Sequence, residues 1–157
     1  VDQRASVAIR PRRQKELQPY LNFLEQLPPL LADLERREKE GARVSVMTTG
    51  VTNTTNQTQR VAALVHDLDL VQAHQWGQPG WVNLPEDPIV SALIGEGDAA
   101  VDPLLDCLEQ DQRLTRSIGF GRDFHRSRTV ITVSNAADVA LKSILQAGFS
   151  NASEMRA

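Results

Sequence analysis

The chain has 157 residues, 41% hydrophobic and 24% charged, with a net charge of −3. That is long enough for one domain with its own core. Aromatic residues make up only 4%, so Leu, Val, Ile and Ala must fill the interior, which favours packed helices over a β-sandwich. The single Cys107 excludes an internal disulfide and a zinc site built on several cysteines, and no apolar run approaches the roughly 20 residues that cross a bilayer.

Residues 1–14 read as a disordered polar arm, 15–150 as a single helical domain and 151–157 as a tail. From Leu17 an apolar stripe begins: Leu17, Tyr20, Leu21, Leu24, Leu27, Leu31 and Leu34 share one face of a 3.6-residue helix. Pro28 and Pro29 interrupt it without changing its phase, which predicts two helices end to end or one kinked helix. Glu35 and Lys39 form an i,i+4 pair in the last turn, and Gly41 is a natural stop. Residues 42–58 are rich in Thr and Asn and read as a loop with at most a short edge strand.

A second helix is expected from Gln57 to Gln75, with Val61, Leu64, Val65, Leu68 and Val71 on its apolar face. Trp76 to Trp81 then read as a turn-rich loop. Asp87 and Pro88 open a third helix as N-cap and first residue. Asp98 starts a fourth, with Val101, Leu104, Leu105 and Leu108 as its stripe. Ser134 is placed as the cap of a last helix that carries Ala137, Ala140, Leu141 and Ile144. Between these last two, residues 113–133 alternate Ile118 and Phe120 with glycines and end in Val130, Ile131 and Val133, a pattern of a hairpin or an irregular crossover. All four stripes are expected to face one core.

Ala92-Leu93-Ile94-Gly95-Glu96-Gly97, then Ala100-Val101-Asp102-Pro103-Leu104-Leu105, resemble a HEAT-type helical repeat of bacterial type, as does Ala137-Asp138-Val139-Ala140-Leu141-Lys142-Ser143-Ile144. The resemblance covers residues 88–147. It implies a protein-binding scaffold more often than an enzyme. The expected fold is therefore all-α: a compact helical domain of about five helices with HEAT-like pairs and an inserted loop or hairpin at 113–133.

Charge is unevenly spread. Residues 1–15 hold five bases against one acid, and residues 16–112 hold 16 acids against 5 bases. Residues 113–128 reverse the sign with Arg113, Arg116, Arg122, Arg126 and Arg128 against Asp123. Guanidinium forks suit carboxylate or phosphate, and His125 beside them can titrate. These residues either form an anion or acidic-partner site or pin the insertion to the body through carbonyls and acids. Trp76 and Trp81 are either partner anchors or a cover over the open end of the helix layer. Asp98, Asp102, Asp106 and Glu109 share a face away from the apolar stripe and read as a solvated surface rather than a cation site. His66 and His74 lack a metal-binding spacing. Ser117 is not in a nucleophile elbow, and Cys107 reads as a small buried hydrophobe.

The expected function is a non-enzymatic protein–protein interaction module, with Arg113, Arg116, Arg122, Asp123, His125, Arg126, Arg128, Trp76 and Trp81 as partner-binding residues. A small-anion or ligand binder, or an enzyme using the Arg/Asp/His cluster, is the alternative. No catalytic residue, metal or cofactor is expected. A protein partner and a homo-oligomer are compatible with the sequence, whereas nucleic acid and membrane are not expected. A start at Val1 is compatible with a soluble, exported chain whose signal has been removed.

Overall fold

In a computed structural model of the chain, residues 11–41, 45, 56–77, 80–120 and 128–145 are described, with only the backbone given for 11–15, 19 and 23. The helices are α1 (Pro11–Glu40), α2 (Gln57–His66), α3 (Pro88–Glu96), α4 (Val101–Gln110) and α5 (Val133–Ile144). Between them lie two antiparallel hairpins, β1 (Gln75–Gly77) with β2 (Gly80–Val82) and β3 (Leu114–Phe120) with β4 (Arg128–Thr132). Two separate two-stranded sheets overturn the all-α class. The larger one pairs Leu114–Phe120 with Arg128–Thr132 of the expected insertion, where β-branched and apolar residues alternate with Gly119 and polar neighbours. The smaller replaces the loop expected at Trp76 to Trp81, because three-residue strands are too short to show a period of two in the sequence.

The core lies among α2 to α5. Leu64, Leu68, Val90, Leu93, Leu104 and Val133 are fully buried, each contributing roughly 1.5–3 kcal/mol of apolar burial. Ala136, Ala137 and Ala140 are buried too, and their small side chains let α5 approach α3 and α4 closely. Asp87 caps α3 by accepting from the Ile89 amide at 2.9 Å, and Gly97 closes it with a positive φ of 62°. The cap of α5 is Thr132, not Ser134: its hydroxyl accepts from Asn135 N while the Asn135 side chain accepts from Thr132 N, a reciprocal box. Helix α2 stops at His66, short of the expected Gln75, and passes through a 3₁₀ turn at Asp67–Leu70. The chain must then run extended beside β3, because Val71 O accepts from Arg116 N and Ala73 N donates to Ser117 Oγ.

Helix α1 departs most from expectation. It is continuous through Pro28 and Pro29, both exposed, so the Leu24 and Glu25 carbonyls that lose their helical N–H partners stay on an open side. It starts at Pro11, ahead of the arm boundary expected at residue 14, and residues 1–10 lie outside the described ones. Its apolar stripe does not face the core: Leu17, Leu21, Leu24, Leu31 and Leu34 are 41–59% exposed. Polar residues on another face attach it instead. Asp33, buried, pairs with Arg36 at 2.9 Å and Arg37 at 2.6 Å. Arg36 also reaches the buried Asp69 at 3.0 Å, and Arg37 donates to Leu114 O at 2.7 Å. The Gln26 amide lies along β4, donating to Arg128 O and accepting from Val130 N, both at 3.4 Å, which covers an otherwise open strand edge.

Candidate functional site

The opposite edge of the large hairpin, along β3, is covered in the same way. Gln75 of β1 accepts from Phe120 N and donates to Phe120 O at 2.8 Å, so its amide stands in for a strand neighbour. This contact ties the small hairpin to the large one. The register of the small hairpin pairs Gln75 with Val82, Trp76 with Trp81 and Gly77 with Gly80. Directly opposed residues share a face and successive ones alternate. Gln75 and Val82 therefore point to the body, and the two tryptophans share the outward face, Trp76 at 69% and Trp81 at 90% exposure. The turn depends on glycine: Gly77 has φ 71°, and a Cβ on Gly80 would fall 1.7 Å from Trp76 O.

A groove flanks the small hairpin on each side. On the β2 side the groove measures about 570 Å³, with Trp81 as one wall, Gly119 and Ile131 as floor, and Asn135 and Asp138 of α5 as polar rim. On the β1 side a groove of about 400 Å³ is lined by His74, Gln75, Arg116, Ile118 and Phe120. Strand β3 alternates accordingly: Thr115 and Ser117 are buried, whereas Arg116 and Ile118 are exposed. Arg128 is opposite Phe120 in the register and shares that outer face.

The basic segment is not one patch. Arg113 stands at the base of β3, roughly 20 Å of strand from the tip. Its guanidinium donates to Asp111 at 2.7 Å, to His66 O at 2.7 Å and to Val65 O at 3.2 Å. It thus fastens the start of β3 to α2 and the end of α4. Arg116 and Arg128 lie on the outer face near the small hairpin, and Arg122, Asp123, His125 and Arg126 lie outside the described residues. The structure brings Trp76, Trp81, Arg116 and Arg128 to neighbouring hairpins. The groove residues Gln75, Ile118 and Phe120 were missed as a group, although the mirrored Gln-Trp-Gly and Gly-Trp-Val around a two-residue turn carries a hairpin signal.

A third cleft, about 590 Å³, lies between α2 and α4 and is lined mainly by apolar atoms of Val61, Ala62, Val65 and Pro103, with His66 and Cys107. Burial first, and then the nearby Asp111 carboxylate, pushes the Cys107 thiol up to about 12, so it is protonated and not a nucleophile at neutral pH. Among the described residues no group of three or more His, Cys, Asp or Glu is placed to hold a metal ion, and no helix is long and apolar enough to cross a membrane. Models of known protein families, curated proteins and solved structures all return no match to the chain.

Proposed function

We propose that this chain is a non-enzymatic protein-interaction module whose recognition face is the Trp76–Trp81 hairpin with its two flanking grooves. The observation that carries the reading is the outward placement of both tryptophans, the most extensive apolar side chains in the sequence, on one face. The core does not call on them, since its fully buried residues are aliphatic or small. Two adjacent exposed indoles on paired strands are a recognition feature rather than a packing one. The resemblance of residues 88–147 to HEAT-type repeats supports the same reading, with α3 to α5 as the scaffold beneath the hairpins.

The chemistry of the face suits a peptide segment with an apolar anchor and acidic neighbours. The indoles and Ile118 offer apolar contact, and Arg116 offers a guanidinium fork to a carboxylate. A peptide-display selection on the full chain tests this. Enriched peptides are expected to be acidic with an aromatic or aliphatic anchor, and to lose at least about thirtyfold in affinity on Trp81→Ala, as buried interface tryptophans do. Enrichment of peptides that bind wild type and Trp76→Ala/Trp81→Ala equally would overturn it. An anion site at residues 113–128 is less favoured because Arg113 is already held by Asp111 and two carbonyls.

A further inference from the structure

The hairpin face leaves a second exposed apolar surface unused. On α1, Leu17, Tyr20, Leu24, Leu27, Leu31 and Leu34 are spaced by alternating steps of three and four, with the exposed Leu21 beside them. That is a seven-residue repeat with apolar residues at both seam positions. Leu17, Leu24, Leu31 and Leu34 are exposed and Leu27 is half-buried. Gln26, Asp33, Arg36 and Arg37, which hold α1 to the body, lie roughly 130° around the helix from the centre of that seam. Attachment therefore fixes the helix and leaves the seam facing outward.

We propose that a second copy of this chain occupies the seam, with α1 packed antiparallel on α1 about a two-fold axis near residues 25 and 26. Two arguments select this occupant. A helix laid on a globular body turns its apolar stripe to that body, whereas here the stripe faces outward and its 3.5-residue seam stays in register with another helix of the same repeat. Helices α2, α4 and α5 spend their stripes on the core, and the sequences of residues 1–10, 42–55 and 146–157 contain no such repeat, so the matching helix is α1 itself. Charge selects the direction. The N-terminal end is basic, with Arg10, Arg12, Arg13 and Lys15 and no acid in its first turn. At the C-terminal end Arg36 and Arg37 turn to Asp33, Asp69 and Glu40, which leaves the exposed Glu35 and Glu38 against a single exposed base, Lys39. Antiparallel packing sets the basic end of each helix beside the acidic end of the other, whereas parallel packing would bring the two basic ends together.

The test is sedimentation equilibrium of the full chain over a wide concentration range, beside Leu24→Glu/Leu31→Glu. Wild type is expected to dimerise, and the double variant to weaken dimerisation by at least about a hundredfold. Its circular dichroism should be unchanged, because both side chains face outward. Direction is read by oxidising single-cysteine variants, Cys107 being buried. Leu17→Cys mixed with Leu34→Cys should give the mixed disulfide, and Leu17→Cys alone should give none, since its two copies would lie roughly 25 Å apart. A monomeric wild type, a dimer untouched by the glutamates, or a disulfide from Leu17→Cys alone each overturns the proposal.

Discussion

Helix α5 lays Ala136, Ala137, Ala140 and Leu141 into the core, whereas helix α1 turns its leucines outward and holds the body by Asp33, Arg36 and Arg37. Both carry apolar residues at helical spacing and both form. The difference lies in what their other faces meet. Helix α5 follows β4 directly through the Thr132 cap, so its position over α3 and α4 is set by the hairpin that feeds it. Helix α1 crosses the hairpin, where backbone groups at Leu114, Arg128 and Val130 are open to side-chain partners. Satisfying those groups takes polar side chains, and the apolar stripe is left over. Periodicity thus identifies a helix without saying which of its faces the rest of the chain will use.

Truncation separates the two kinds of stripe most strongly. Leu104→Ala, in the core, is expected to cost about 2–5 kcal/mol, whereas Leu24→Ala should stay within about 0.5 kcal/mol when measured at concentrations where the chain is monomeric. Denaturant unfolding of both variants checks this, and equal losses would mean that α1 packs on the body by its leucines.

The polar attachment gives the next effect. Asp69 is buried and meets Arg36 at 3.0 Å and Arg113 at 3.6 Å. Asp69→Ala leaves both guanidiniums short of a partner and should cost about 2 kcal/mol, below the usual loss for a fully buried pair because Arg36 is partly exposed. Hydrogen exchange should then show faster exchange in α1 than in α5. Unchanged exchange in α1 would mean that another contact holds it.

Acid supplies a smaller, graded effect. Burial pushes the Asp111 carboxyl up, but hydrogen bonds from the Arg113 side chain and backbone outweigh it and hold the group below its ordinary 3.8. Glu96 is held below its ordinary 4.5 chiefly by hydrogen bonds from Arg60. A carboxylate with a lowered folded pKa contributes stability that is complete above its unfolded pKa and is lost as pH falls through the folded value. Stability should therefore hold from neutral pH to about 4.5 and decline below it. Asp111→Asn should be less stable at pH 7 with a flatter acid limb, as followed by thermal melts from pH 7 to 3; an identical acid limb would remove Asp111 from the account.

The core was legible in the sequence because Leu64, Leu104 and Ala140 follow the helical period, and so was the Asp87-Pro88 start of α3. The hairpin at 113–133 was legible as one of two alternatives. What could not be read was pairing at a distance: Gln75 and Gln26 covering the two edges of the large hairpin, or Asp33 and Asp69 buried between arginines, depend on which segments meet. The tryptophans were legible as candidates, but their exposure follows from a register that only the folded hairpin fixes.

That exposure carries the proposed function, and it is directly measurable because Trp76 and Trp81 are the only two tryptophans in the chain. Acrylamide quenching of the native protein's tryptophan fluorescence, read with Trp76→Phe and Trp81→Phe to separate the two, tests it. The account predicts red-edge emission and quenching close to that of the unfolded chain, with Trp81 the more accessible of the pair. Blue-shifted emission with strong protection from quencher in the native protein would contradict it, because the two indoles would then be packed and would offer no recognition face.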